Sequence, residues 1–305
     1  MKTDKSKGFA WIVLITVMIN LIGCGPKRES YSVESQGNIQ SWQDIQAHAN
    51  KASLTTFMTG VLTVPTSGML NRSDPKTDIF TEDSIDVEVY AHWIRHSEKG
   101  DFLIDTGLDH RFGESARGSQ KGFVAPFIIE GGMQEIGQDI LSQLEENQVN
   151  VKGVFLTHVH SDHSAGIPAL PEGTPIMLGK GASLHQYPFA LYNDHFDNVE
   201  TLYELDFSQA VDIQPLGKML DLFGDGSVWA ISTPGHTEGH VSYLVNSFEG
   251  WVLLTGDASH TRWGFENGVI PGWSEDDSEA EKSLRGLIQF SQQNPDIRVV
   301  FGHER

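Results

Sequence analysis

The hydrophobic pattern of this chain divides it into three stretches. Phe9 to Ile22 is apolar throughout except for Thr16 and Asn20, and Lys2, Lys5 and Lys7 precede it. A basic start and a short apolar run read as the n-region and h-region of a secretory signal, short and wrongly flanked for a membrane span, with an ordinary cleaved signal or an uncleaved anchor as the alternative to lipoprotein processing. Gly25 to about Asn50 is polar, with Ser, Gln, Glu and Asn throughout, and reads as a tether. Trp42 and Ile45 offer a short helix there as the alternative. From Leu54 onward, apolar residues recur with the periods of strands and helices.

In that third stretch, Leu54 to Val64 is rich in β-branched residues and predicts a strand. Thr66 to Thr81 is dense in turn formers and predicts a loop. Ile85, Val87 and Val89 alternate with acidic residues in a strand that reaches Ile94, and a turn at Ser97-Glu98-Lys99-Gly100 returns it through Phe102-Leu103-Ile104. Leu108 to Gly132 is long, Gly-rich and aperiodic, so it is either a wall of a site or a surface insertion. Met133, Ile136, Ile140, Leu141 and Leu144 fall at helical spacing. Residues 185 to 196 interleave Tyr187, Phe189, Tyr192 and Phe196 with His185 and His195. A helix packing its rings on the core is favoured there over a substrate-contacting patch. Strands are expected at Val154–Leu156, Val228–Ser232, Trp251–Leu254 and Val299–Phe301, and a last helix at Ser278–Phe290. No linker interrupts the alternation, so residues 54–305 are expected to form a single α/β domain.

The net charge of −20 argues against nucleic acid, which rewards basic surfaces. Cys24 is the only cysteine, which excludes a disulfide within the chain, and its position does not suit a catalytic thiol. Leu21-Ile22-Gly23-Cys24 resembles a bacterial lipobox. It implies removal of residues 1–23, lipidation of Cys24 and a membrane-held protein of the cell envelope. Gly25 carries no Asp-type retention signal, so for a Gram-negative source the expected location is the outer membrane, facing the periplasm or the surface.

Chemistry concentrates in Thr157-His158-Val159-His160-Ser161-Asp162-His163. His and Asp are costly to bury unpaired, and a metal cation is the usual reason to cluster them. Further on, His236, Asp257 and His303 each follow a strand-like run or a tight turn after one.

These residues resemble the metallo-β-lactamase superfamily of hydrolases, from about Ile85 to the C-terminus. The resemblance implies a four-layer αββα sandwich with two divalent metal ions, zinc first among them, and a bridging hydroxide as nucleophile. By position, His158, His160 and His236 would bind one ion, Asp162, His163 and His303 the other, and Asp257 both. Asp105, in Asp105-Thr106-Gly107, would orient a metal-bound histidine, and His240 would support the site without ligating.

Within the superfamily the chain is most similar to the N-acyl homoserine lactonase-like group. The residues that carry this are Phe102 to Gly107, Leu156 to His163 and Thr255 to Ser259. The resemblance implies a small ester or lactone substrate and catalytic roles for Asp162, Asp257 and His260. His260 departs from the pattern, because lactonases of the group often carry Tyr three residues after the bridging Asp. Phosphodiesterase, phosphotriesterase and arylesterase activities are the alternatives; β-lactamase, thioesterase and a non-catalytic metal-binding lipoprotein rank below them. No protein partner is expected. Trp263, Phe265 and Trp273 either line the pocket or pack in the core.

Overall fold

The computed structural model describes residues 25–33, 39–184, 187 and 189–304. Among the described residues the chain builds two sheets. The first contains β1 (Lys27–Ser30), β2 (Ser53–Pro65), β3 (Ser84–His96), β4 (Gly100–Ile104), β5 (Gly131–Met133), β6 (Val151–Phe155), β7 (Ile176–Gly179) and β8 (Thr201–Leu205), in the order β1-β8-β7-β6-β4-β3-β2-β5. The second contains β9 (Val211–Ile213), β10 (Gly217–Asp221), β11 (Val228–Ser232), β12 (Val241–Ser247), β13 (Gly250–Leu254) and β14 (Arg298–Val300), in the order β14-β13-β12-β11-β10-β9. In the first sheet β4, β6, β7, β8 and β1 run parallel. In the second, β9 to β13 form an antiparallel meander and β14 joins β13 in parallel. A parallel pair needs a crossover, and the helix Asp277–Gln293 supplies that one.

The layers follow from strands whose two faces are both covered. Val228 and Ala230 point into the space between the sheets, with Ile94, Ile104, Phe155 and Met177 from the first sheet. Their neighbours Trp229 and Ile231 point outward onto Leu284, Leu287 and Phe290 of the crossover helix. Such strands read as unbroken apolar runs because no face is left for water. On the far side, Ile140 and Leu144 of the helix Ile140–Glu146 cover Leu103, Val154 and Leu156. This is the α/β sandwich of the expectation. Leu287 is 1% exposed, so Leu287→Ala should cost about 2–5 kcal/mol, read as a lower denaturation midpoint at unchanged slope.

Several local expectations are corrected. The stretch 24–53, expected as a polar tether with a short helix at Trp42 and Ile45 as the alternative, supplies β1 and, as that alternative had it, the helix Trp42–His48 among its described residues. All four residues of β1 are exposed, so polar side chains cost nothing there while the backbone pairs with β8. Trp42 and Ile45 are buried against Trp229 and Phe290. The expected helix from Met133 forms only at Ile140–Glu146, with Asp139 accepting from the Ser142 amide at 3.0 Å. Met133 instead pairs with Val61 at the sheet edge, and Ile136 projects into solvent. The loop expected over 66–81 contains a helical turn at Thr66–Met69 and a 3-10 turn at Pro75–Ile79. Residues 187 and 189–196 form bridges and turns rather than a helix, with Tyr187 and Phe189 exposed and His195 and Phe196 buried. His185, Cys24 and the expected signal peptide lie outside the described residues.

Candidate metal centre

The candidate ligands sit just beyond the carboxyl ends of strands. β4 delivers Asp105, β6 the stretch His158 to His163, β11 His236, β13 Asp257 and β14 His303. A rigid strand followed by a tight turn fixes where each side chain can aim. Gly302 serves the same end, because a Cβ there would lie 2.2 Å from Asp257 Oδ1.

Seven side chains converge in two groups, His158, His160, His236 and Asp257 in one, and Asp162, His163, Asp257 and His303 in the other. Within each group the donor atoms lie within 4.8 Å of one another. His160 Nδ1 is 2.9 Å from His158 Nε2 and 3.1 Å from His236 Nε2. Asp257 Oδ2 lies 3.5 Å from the Nε2 atoms of His158, His236 and His303 and 3.4 Å from that of His163. Asp162 Oδ2 is 3.3 Å from His303 Nε2 and 3.5 Å from His163 Nε2. Asp257 is thus the member common to both groups.

The opposite ring nitrogens are held from behind. His163 Nδ1 is 2.8 Å from Asp105 Oδ2, His158 Nδ1 is 3.0 Å from Thr157 Oγ1, and His303 Nδ1 is 2.9 Å from the Glu88 carbonyl. A carbonyl only accepts, so Nδ1 of His303 carries the proton and its Nε2 presents a lone pair to the centre. Such outer partners fix the tautomer and ring direction of a metal ligand. The Asp257 amide donates to His240 Nε2 at 2.9 Å, and His240 Nδ1 meets Thr233 Oγ1 at 2.8 Å. His240 is therefore occupied at both nitrogens.

Electrostatics follow the packing. Burial and neighbouring imidazoles push His158 well below the ordinary histidine value, and burial lowers His160 and His236 although Asp257 opposes it. Burial takes His240 down to about 3. For His163, burial disfavours the cation, but Asp257, Asp162 and Asp105 outweigh it and raise the pKa well above the ordinary value. Burial alone would raise Asp257, yet His163, His260, His303 and His158 hold it well below the carboxylate range.

The donor set fits divalent cations. His163 Nε2, His260 Nε2 and Asp257 Oδ1 are buried without a hydrogen-bond partner among the described residues, an arrangement that costs about 1–3 kcal/mol per group unless something pairs it. Five imidazoles and two carboxylates match borderline ions such as zinc.

His260 lies against this cluster. Its Nδ1 is 3.0 Å from the Met69 carbonyl, and its Nε2 is 3.1 Å from Asp257 Oδ2. It lines a cavity of about 490 Å³ together with His160, Asp162, His236, Asp257 and His303. The other walls are largely apolar, among them Leu62, Val64, Met69, Val87, Ile129 and Leu184. Gln120, Ile128 and Ile129 come from the long aperiodic stretch, which therefore is a wall of the site. It is tied to the metal box through His195, whose Nε2 meets Ser119 Oγ at 2.5 Å and whose Nδ1 meets Ser164 Oγ at 2.8 Å. Of the three aromatics downstream of Asp257, only Trp273 lines the cavity. Trp263 packs edge-on to Phe80 at 4.8 Å, and Phe265 is buried against Phe301.

Sequence reasoning missed Thr157, whose amide and hydroxyl both donate to Asp105, at 2.7 and 2.9 Å. Its signal was adjacency to the box. The Glu88 and Met69 carbonyls were also missed, and no sequence signal marks a backbone carbonyl.

Comparison with known proteins places this geometry in context. Residues 85–303 match the family model described as the metallo-beta-lactamase superfamily. An N-acyl homoserine lactonase of a Bacillus species is 27% identical over 246 residues, covering 77% of this chain and 89% of its own. The N-acyl homoserine lactonase AttM of Agrobacterium fabrum is 30% identical over 174 residues, covering 54% of this chain and 63% of its own. Among solved structures, an N-acyl homoserine lactone hydrolase with N-hexanoyl-L-homoserine at its catalytic metal centre shares the fold with a TM-score of 0.66. It is 22% identical, and the match covers 84% of this chain and 94% of that one. The dizinc quorum-quenching lactonase AidC is 16% identical with a TM-score of 0.51, over 84% of this chain and 88% of that one.

Proposed function

This chain belongs to the metallo-β-lactamase superfamily and is a metal-dependent hydrolase of that fold; from that premise we propose that it holds two divalent ions and opens small lactones, with N-acyl homoserine lactones as the leading class. One observation carries the proposal: two donor groups sharing Asp257 stand at one end of a mainly apolar cavity. The lactonase relatives support the substrate class. Zinc is the proposed metal.

His158, His160 and His236 would hold one ion, Asp162, His163 and His303 the other, and Asp257 both. Divalent ions in such a site supply Lewis acidity and lower the pKa of water toward neutrality. The protein does the rest. Asp105 and Thr157 hold His163 and His158 in the ligating tautomer. His240 fixes the Asp257 backbone. The apolar walls exclude water and position an acyl group. With Nδ1 donating to the Met69 carbonyl, a proton on Nε2 belongs to the imidazolium form of His260; Nε2 lies 3.1 Å from Asp257 Oδ2 and faces the cavity, where that proton would pass to the leaving alkoxide.

Among the described residues no Lys or Arg lines the cavity. That favours neutral esters over anionic phosphodiesters and makes aryl esters or phosphotriesters the second reading. A hydrolysis panel on the metal-loaded protein, covering lactones, aryl esters, thioesters, phosphodiesters and β-lactams, is the test. Lactone turnover ahead of the others is expected; turnover confined to aryl or phosphate esters would overturn the substrate assignment and leave the hydrolase.

We also propose an envelope protein anchored by lipid at Cys24. The basic start, the apolar run and a sole cysteine after Leu21-Ile22-Gly23 support it. Among the described residues no helix is long and apolar enough to cross a membrane. One lipid chain anchors only marginally, and several make attachment firm. Full-length protein should partition with membranes, and Cys24→Ser should release it; mass spectrometry showing an unmodified Cys24 at the mature N-terminus would contradict the anchor.

A further inference from the structure

We infer that Trp273, seated on Gly68 at the cavity, grips an unbranched apolar acyl chain and sets a preference for long-chain substrates. The inference rests on the ester or lactone hydrolase reading above and names the part of the substrate that this chain selects.

Trp273 has φ +57, in the left-handed region that favours glycine. Its neighbour Gly272 is tightly placed, since a Cβ there would lie 1.8 Å from the Ser67 carbonyl oxygen. A bulky residue held in such a conformation is strained and persists only where its surroundings enforce it, commonly at ligand clamps. Glycine at 273 would relieve the backbone but leave the cavity without the indole. The ring lies flat enough on the helical turn Thr66–Met69 that a Cβ on Gly68 would meet its Cζ3 at 2.7 Å. The side chain nonetheless lines the cavity, and Trp273 is 53% exposed. An apolar ring that is half open to water and faces a mainly apolar cavity gains most when a ligand covers it.

Gln120 and Glu275, polar residues on the cavity wall away from the metal cluster, have hydrogen-bond partners within the protein. Gln120 Nε2 donates to the Tyr192 carbonyl at 3.2 Å, and Gln120 Oε1 accepts from Asn193 Nδ2 at 3.3 Å. Glu275 Oε2 accepts from the Glu238 amide at 2.7 Å. What the wall offers a ligand is therefore mainly apolar surface. The same segment is braced to the metal site, because the Glu275 and Asp276 amides donate to the His236 and Gly235 carbonyls at 3.1 and 3.0 Å. A chain gripped by Trp273 is thus placed relative to His236.

The test is an acyl series from butanoyl to dodecanoyl homoserine lactone on the metal-loaded protein. In the wild type, kcat/KM should rise roughly three- to fourfold per methylene until the chain fills the cavity. Trp273→Ala should flatten that slope, mainly through KM, with unchanged metal content. Trp273→Phe should retain part of it. Gly68→Ala, which keeps the indole but displaces it, should reproduce the loss. If no lactone is opened, the same series built on p-nitrophenyl esters reads the same slope, so failure of the lactone assignment is separable from failure of this one. Binding of N-dodecanoyl homoserine should also blue-shift tryptophan emission in the wild type and much less in Trp273→Ala, independently of turnover. A wild type indifferent to chain length, or a Trp273→Ala variant with an unaltered slope and emission shift, would overturn the inference.

Discussion

Asp257→Ala will lose bound metal and hydrolysis together. Asp257 Oδ2 is within 3.5 Å of the Nε2 atoms of four histidines drawn from both donor groups. Removing that carboxylate takes away the shared ligand and leaves buried imidazoles without the charge that organises them. Loss of an outer partner of a metal site typically costs about 10–100-fold in metal affinity or activity. Asp105→Ala should fall in that range, and Asp257→Ala should exceed it. The readout is elemental analysis beside kcat/KM, with about two ions per chain expected in the wild type. Bound metal also stabilises the fold by mass action, on the order of 4 kcal/mol when free metal is at a thousand times its Kd. Chelator should accordingly lower the melting temperature of the wild type and barely move that of Asp257→Ala. Full activity in protein shown to carry no metal would sink the dinuclear proposal.

His260→Ala is expected to lower kcat by roughly 10²–10⁴-fold, the range of a positioned proton donor. The expectation rests on three contacts. The Met69 carbonyl anchors Nδ1, Asp257 Oδ2 faces Nε2 at 3.1 Å, and the ring lines the cavity. If the Nε2 proton of the His260 imidazolium acts on the leaving alkoxide, the loss falls on kcat more than on KM. Metal content should stay at the wild-type level, which separates this role from ligation. His260→Tyr should recover part of the rate, since a phenol donates a comparable hydrogen bond, whereas a purely structural role would gain nothing from the phenol. Wild-type rates on lactones in His260→Ala would make the residue a bystander.

Much of the fold was legible because its strands are covered on both faces. Val228 to Ser232 and Trp251 to Leu254 read as apolar runs for that reason, and each ends at a turn that carries a His or Asp. The spacing within His158 to His163 is local, so one strand end and one helical turn suffice to present it, and a sequence records that directly. The long final helix was legible for the same reason: Ala280, Leu284, Leu287 and Phe290 repeat at the period that buries one face.

Edges and walls were not legible, because nothing in them needs an apolar code. β1 is an exposed edge strand held by backbone hydrogen bonds, and its Lys-Arg-Glu-Ser sequence resembles any polar linker. Met133 and Ile136 kept helical spacing by coincidence while Gly137 and Asp139 set the actual start of the helix. The cavity is assembled from residues as distant as Leu62, Ile129, Leu184 and Trp273. Which aromatic would face it, Trp273 rather than Trp263 or Phe265, depended on how the turn after Pro271 packs on Gly68. The sequence alone determined the family, the two-sheet core and the side chains able to hold metal. Tertiary structure decided the backbone carbonyls behind His260 and His303, the centring of Asp257 between two donor groups and the walls of the cavity. Those depend on atoms far apart in the chain meeting at a few ångströms, and periodicity along a sequence records which face of an element is buried but not what it will meet.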